Sequence, residues 1–153
     1  MKSTEEGPTI HHCTYIETPV SRVYETLTTS IGWDGWFTQG ATVDLRPGGH
    51  IQFRWNNFGG GRWTTEDGGA VVDVELDTTF SFQWSPAGHP TTVTFTLKSL
   101  GLGTLVTLRE TGYGSNIEDL NVALACAVGW GEALTLLKFY LEHGITYGQV
   151  PPG

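Results

Sequence analysis

The chain has 153 residues, a length typical of one domain with a single hydrophobic core. It has 16 acidic and only 8 basic residues, and the formal net charge of -8 opposes binding to nucleic acid or to anionic lipid. The N-terminal residues lack an apolar signal region, and no run approaches the roughly eighteen apolar residues of a membrane span, so we expect a cytoplasmic protein without a membrane partner.

The first part of the chain is predicted to form a strand and two short helices. Residues 10–17 alternate in polarity as a strand does. Thr18 and Pro19 then favour a helix start, because apolar residues recur at helical spacing from Val20 to Leu27. A second helical segment is predicted at residues 31–37, where aromatic side chains alternate with glycines.

The middle of the chain is predicted to be an antiparallel meander, because two-residue periodicity recurs between short turn signals. The predicted strands are residues 41–45, 49–55, 70–76, 79–84, 92–97 and 104–111. Residues 56–69 are rich in glycine and longer than a hairpin turn needs, which predicts a mobile loop.

The last element is predicted to be a long helix. Ser115 and Glu118 have the spacing of a capping box, and Gly144 after His143 suits a left-handed helix end. The side chains predicted to face inward are Leu120, Leu124, Ala127, Trp130 or Gly131, Leu134, Leu137 and Leu141.

These elements predict an α+β fold in which a curved antiparallel sheet of about seven strands surrounds the C-terminal helix, with two short helices after the first strand. We expect one domain over residues 1–153, with flexible tails at 1–8 and 149–153. A curved sheet cannot contact a straight helix everywhere, so a ligand cavity is predicted between them.

The side chains predicted to line that cavity are mostly large and apolar, including Val72 and Val74 on the fourth strand. His12 and Glu110 lie in phase with this apolar set, on strands that a meander of this order makes neighbours. They are predicted to pair, either as an ordinary core hydrogen bond or as the polar end of a ligand site. The predicted ligand-binding residues are His12, Trp36, Phe53, Trp55, Phe82, Trp84, Phe95, Glu110, Trp130 and Leu134.

Other chemistry has weaker support in the sequence. No G-x-S-x-G nucleophile motif occurs, and the nearest approach to metal-ligand spacing is His11 with Cys13 on one strand face, so no metal or cofactor is expected. Cys13 and Cys126 are predicted to be buried thiols. The tryptophans other than Trp63 are predicted to be either plain core or a surface on which flat aromatic ligands stack.

Four stretches, read together, are similar to the activator-of-heat-shock-ATPase homologue family. They are residues 16–28 (IETPVSRVYETLT), 47–53 (PGGHIQF), 80–84 (FSFQW) and 106–113 (VTLRETGY) followed by 129–134 (GWGEAL). The resemblance implies a helix-grip (START-like) fold of the SRPBCC superfamily, which also contains birch-pollen-allergen-like proteins and polyketide cyclases. It also implies a cavity for lipid-like or aromatic molecules. The family name further suggests a role in the stress response through a heat-shock chaperone.

Three functions are therefore compatible with the sequence. The first is a non-catalytic protein that binds a small hydrophobic or aromatic ligand. The second is a cyclase or hydrolase that uses Glu110 and His12 as its catalytic residues. The third is a protein-interaction module that stimulates a chaperone ATPase, which requires an exposed apolar patch.

Overall fold

A computed structural model describes residues 6–147, which form three helices and one sheet. The α+β class and the order of elements agree with the prediction. The elements are β1 Ile10–Ile16, α1 Val20–Thr28, α2 Ser30–Trp36, β2 Thr42–Val43, β3 His50–Phe58, β4 Trp63–Glu75, β5 Thr79–Trp84, β6 Thr91–Leu100, β7 Gly103–Thr111 and α3 Ile117–His143.

The strands form one antiparallel sheet of seven strands in the order β1-β7-β6-β5-β4-β3-β2. As predicted, β1 lies beside β7, with Ile10 opposite Glu110 and Ile16 opposite Thr104. The remaining strands follow as a meander joined by short turns, and α3 packs across β1. This arrangement confirms the helix-grip architecture.

The hairpin between β3 and β4 replaces the long loop predicted at residues 56–69. The strands continue until Phe58 faces Trp63, and a bulge follows Trp55. The glycines that suggested a loop have a packing role instead, because a Cβ at Gly69 would lie 2.3 Å from the backbone oxygen of Gln83 on the neighbouring strand. Glycine in a strand often marks such a close approach of two backbones.

A second irregularity reverses the predicted orientation of side chains in β4. The pairing of β4 with β5 shifts between Val71 and Asp73. Val71 is buried and Val74 packs against the core as predicted, whereas Val72 is 45% exposed, so the prediction that Val72 faces inward is wrong. A bulge inserts one residue and moves the following side chains to the other face.

Helix α3 ends as predicted but begins one residue later. Asn116, and not Ser115, caps it by accepting a hydrogen bond from the Asp119 backbone at 2.8 Å, and Gly144 ends it in the left-handed region at φ 68°. Leu124, predicted to face inward, is 68% exposed, since Ala123 occupies the buried position. By length and composition α3 could cross a membrane, but here it is the helix that the sheet packs against.

Two smaller predictions are also corrected. Cys13 is exposed and Cys126 is half-buried, so the two thiols are not both in the core. The predicted tails fall mostly outside the described residues, but Glu6 bridges Gly114 and the backbone N–H of Gly7 donates to the Tyr113 oxygen at 2.7 Å.

The first turn of α3 is tied to neighbouring loops by the buried carboxylate of Asp119. It accepts hydrogen bonds from the Gly114 backbone and from His89, whose Nε2 lies 2.7 Å away in the turn before β6. The Gly114 hydrogen bond, with the contribution of His89, lowers the pKa of Asp119 below its ordinary value of 3.8.

The Asp119 carboxylate should therefore make stability depend on pH. Because its pKa is lower in the folded state, its contribution is complete above about pH 4 and is lost as the pH falls below that value. Asp119→Asn should be less stable than the wild type near pH 7, and the difference should shrink toward about pH 3. Urea unfolding across this range measures it, with the exposed Glu118→Gln as control. A difference that does not change with pH would contradict this role.

Candidate functional site

The centre of the space between sheet and helices is filled by aromatic side chains. Trp33, Phe53, Phe82 and Phe95 are each fully buried. The Trp33 ring centroid lies 4.8 Å from that of Phe53 and 6.2 Å from those of both Phe82 and Phe95. The predicted cavity therefore does not occupy the middle of the fold.

A cavity of about 620 Å³ lies instead toward one end, between the β3–β4 hairpin and the middle of α3. This volume is in the range of small-molecule sites in proteins. Gly59 and Gly60 of the hairpin turn are at its edge. The other lining residues are Phe37, Trp55, Phe58, Trp63, Thr65, Glu66, Asp67, Trp84, Ser85, Pro86, Val122, Ala125, Cys126, Val128, Gly129, Trp130 and Glu132.

Four aromatic rings form a closed circuit of contacts that we call the aromatic floor: Phe37, Trp55, Trp84 and Trp130. Around the circuit the ring centroids are 5.4 Å (Phe37 to Trp55), 6.3 Å (Trp55 to Trp84), 5.4 Å (Trp84 to Trp130) and 5.9 Å (Trp130 to Phe37) apart. Phe58 extends the floor toward the hairpin, 5.4 Å from Phe37. The floor is large, apolar and assembled from α2, β3, β5 and α3.

Glu110 lies behind the floor and holds two of its rings in place. The side chain is fully buried, and its oxygens accept hydrogen bonds from Trp84 Nε1 at 2.7 Å and Trp130 Nε1 at 2.9 Å. The hydroxyls of Thr91 and Tyr113, at 2.6 and 2.9 Å, complete a set of four donors. An indole N–H can only donate, so the carboxyl group fixes the orientation of both rings.

The predicted pair between His12 and Glu110 does not form. His12 Nε2 donates to the backbone oxygen of Ala127 at 2.9 Å, and Glu110 is occupied by its four donors. The strand register explains the separation, because the residue opposite Glu110 is Ile10 and the residue opposite His12 is Leu108.

The other predicted ligand-binding residues occupy three kinds of place. Trp55, Trp84 and Trp130 line the cavity. Phe53, Phe82, Phe95 and Trp36 form the packed layer adjoining the floor, with Trp36 stacked 5.2 Å from Phe37. Leu134 is buried in the core. Ligand binding by these residues remains a prediction.

One wall of the cavity carries a carboxylate and a thiol that the sequence analysis did not identify. Asp67 accepts hydrogen bonds from the backbone N–H groups of Gly68 at 2.8 Å and Ser85 at 3.1 Å. Burial raises the pKa of Asp67, against the effect of these hydrogen bonds. Burial also raises the pKa of Cys126 to about 11, so its thiol stays protonated and unreactive near neutral pH.

The indole nitrogens differ in how they are satisfied. Within residues 6–147, the buried Nε1 atoms of Trp36 and Trp55 have no hydrogen-bond partner, whereas Trp84 and Trp130 both donate to Glu110. An unpaired buried donor costs about 1–3 kcal/mol.

This difference gives a matched pair of variants. Trp84→Phe removes a donor from Glu110 and should lower the free energy of unfolding by at least about 1 kcal/mol more than Trp55→Phe, which removes an unsatisfied N–H. Both changes replace an indole of the aromatic floor by a smaller ring, and the comparison includes a small difference in burial, since Trp84 is buried and Trp55 is half-buried. Chemical denaturation measures both, and equal losses would show that the hydrogen bond to Glu110 contributes nothing.

A second depression, of about 450 Å³, lies between α1 and the turn from β4 to β5. It is a more open groove whose lining includes Arg22, Glu25 and Asp77. An open charged groove is less suited to enclosing an apolar molecule than the cavity beside α3.

Several residues of the cavity were missed because of the glycine run. Phe58 and Trp63 face each other across the hairpin, and treating residues 56–69 as a loop removed them, together with Asp67, from consideration. The period of two at Phe53 and Trp55 would next place Asn57 on the inner face, but the bulge after Trp55 shifts the register before Phe58, so alternation alone did not reveal the hairpin.

The family model for "Activator of Hsp90 ATPase homolog 1-like protein" matches residues 17–142. A search of curated proteins finds no match. The solution structure of the Aha1 dimer from Colwellia psychrerythraea is similar, with a TM-score of 0.75 and 22% identity over 90% of this chain and 98% of that one.

Two further solved structures show the same fold. A protein from Staphylococcus saprophyticus has a TM-score of 0.74 and 24% identity, covering 94% of this chain and 98% of that one. DynU16, described as a putative protein in the dynemicin biosynthetic locus, has a TM-score of 0.77 and 21% identity, and the match covers 93% of this chain but 51% of DynU16. At these identities the likeness concerns the fold.

Proposed function

The chain belongs to the activator of Hsp90 ATPase homolog 1-like family, and on this basis we propose that it binds a small hydrophobic or aromatic molecule in the cavity beside α3. The observation that carries the proposal is the cavity itself, about 620 Å³ with six aromatic side chains in its lining. We place this activity in the cytoplasm.

The construction of the cavity supports binding of an intact guest. Trp84 and Trp130 are held by Glu110, and Phe37 is held by its contacts with both neighbours in the floor. The guest would therefore meet a preorganised surface, which reduces the entropic cost of binding. Trp55 and Phe58 are half-buried and Trp63 is 60% exposed, so flat aromatic rings can stack on the accessible faces of these three side chains.

The same contacts favour a binding protein over an enzyme. A general acid or base must come within hydrogen-bond reach of the substrate. Glu110 is fully buried behind Trp84 and Trp130, and His12 is bonded to the backbone of α3. The two residues proposed for catalysis therefore have other partners.

Contact with a heat-shock chaperone is a second candidate function, favoured by one observation. Outside the cavity lining, α3 exposes Leu124, which is 68% accessible, and Phe139, which is 46% accessible farther along the helix. Exposed apolar residues of this kind can contact another protein. Measuring the ATPase rate of a purified Hsp90-type chaperone with and without this protein tests the idea, and an unchanged rate would contradict it.

Filling the cavity should prevent binding. Gly129 lines the cavity on α3, and a Cβ added there meets no atom within 4 Å, so a side chain can be introduced without a backbone clash. We expect Gly129→Phe to weaken binding of flat neutral aromatic compounds at least about 10-fold, which corresponds to about 1.4 kcal/mol. Quenching of tryptophan fluorescence measures the affinity.

Gly129→Ala is the matched control, because it adds a methyl group and also favours the helix, by up to about 1 kcal/mol. It should leave most of the cavity open and retain binding. If a broad panel of flavonoids, polyketide-like aromatics and naphthalene derivatives leaves the fluorescence of the wild type unchanged, the proposal fails. Equal affinities of Gly129→Phe and the wild type would place the guest elsewhere.

A further inference from the structure

The charge distribution around the cavity indicates which hydrophobic molecules it selects. We propose that the guest carries a positive charge, as an amine or a quaternary ammonium group attached to an aromatic or aliphatic body, and that anionic guests such as fatty acids are rejected. This inference rests on the proposed function, since it concerns the ligand of the same cavity.

The charged residues that line the cavity are all acidic. They are Glu66, Asp67 and Glu132, and within residues 6–147 the lining contains no lysine or arginine. The nearest basic groups in sequence are Arg54, which is 3.6 Å from Glu66, and Arg62, which lies in the exposed hairpin turn. Glu66 is thus partly neutralised, whereas no basic side chain pairs with Asp67 or Glu132 in the described part of the chain.

The aromatic floor adds to the attraction for a cation. The face of an indole ring carries partial negative charge, and cations are attracted to it most strongly where water is excluded. Trp84 and Trp130 both donate their N–H to the buried carboxyl group of Glu110. Such hydrogen bonds polarise the rings toward greater negative charge on their faces, and they place a fourth acidic group directly behind the floor.

Asp67 is the residue best placed to contact a positive head group. It lines the cavity and is half-buried, and among residues 6–147 its hydrogen-bond donors are two backbone N–H groups, those of Gly68 and Ser85. Burial without a cationic partner raises its pKa. A cation bound beside this carboxylate would replace the solvation that burial removes. A carboxylate or sulfonate ligand would meet like charge in the same place.

Three probes that share a naphthalene body and differ in one small polar group test the proposal: (2-naphthylmethyl)ammonium, 2-naphthalenemethanol and 2-naphthoate. Isothermal titration calorimetry at neutral pH and constant ionic strength gives the three dissociation constants. We expect the ammonium probe to bind at least about 10-fold more tightly than the naphthoate, with the alcohol between them. Naphthoate binding as tightly as the ammonium probe, or more tightly, would overturn the inference.

Variants locate the source of the preference. Asp67→Asn keeps an oxygen that accepts from Gly68 and Ser85 but removes the charge, and it should reduce the ratio of ammonium to alcohol affinity at least about 3-fold. Glu132→Gln, exposed on α3, should reduce the ratio in the same direction if Asp67→Asn does not fold. Glu17→Gln removes one charge outside the cavity lining and should leave the ratio unchanged.

The outcomes separate the two proposals. If none of the three probes binds, and the broader panel also fails, the proposed function itself is wrong. If the neutral probe binds but the ammonium probe gains nothing over it, the cavity is a hydrophobic site and only the charge selection is wrong. A ratio that falls equally in Asp67→Asn and Glu17→Gln would attribute the preference to net charge and overturn the role of the cavity carboxylates.

Discussion

The site depends on one buried carboxyl group. Glu110 accepts hydrogen bonds from side chains in β5, β6, α3 and the segment between β7 and α3, while it belongs to β7 itself. A buried acceptor of this kind is costly unless it is fully paired, so the four donors must be present together. These hydrogen bonds join α3 to the sheet at a fixed distance and angle. They also fix the orientation of Trp84 and Trp130, the two indole rings bonded to Glu110.

The cavity exists because aromatic side chains fill the space over one end of the sheet and leave space over the other end. Trp33 and Phe53, with their aromatic neighbours, fill the space where α2 lies over the sheet. Beyond α2, the β3–β4 hairpin extends past the covered part of the sheet, where it faces the middle of α3 and where Phe58 contacts Tyr147. At this boundary Trp84 and Trp130 are buried, whereas Trp55 is only half-buried. The position of the cavity therefore depends on which part of the sheet the helices cover, more than on the curvature of the sheet alone.

Much of this fold could be predicted from the sequence, because periodicity reports directly on burial. The strand order, the adjacency of β1 and β7, and the end of α3 at Gly144 followed from alternation and turn residues. The bulge at Val71 could not be predicted, since nothing in a run of alternating valines marks where one residue is inserted. The hairpin at Phe58 and Trp63 was hidden because glycine signals both turns and close strand contacts.

The candidate site was predictable only in part, for a related reason. Periodicity identified Glu110 as an inward polar residue, but the partner it needed came from indoles and hydroxyls on four other segments. The shared phase and the adjacency of β1 and β7 suggested His12 as this partner, but the register places His12 opposite Leu108, where it bonds to the Ala127 oxygen of α3. Asp67 depends on a hairpin that the sequence did not reveal.

The apolar surface on all sides of α3 has a consequence for how the helix is seated. Leu124 and Phe139 are exposed while Leu134 and Leu137 are buried, so burial of apolar area alone would distinguish poorly between rotations of the helix about its axis. Hydrogen bonds distinguish these rotations because they depend on direction. Three of them can form together at only one rotation of α3 about its axis: Trp130 to Glu110, His12 to the Ala127 oxygen, and Lys138 to the Tyr15 oxygen. Several orientations of α3 on the sheet would bury similar apolar area, and these polar contacts stabilise one of them.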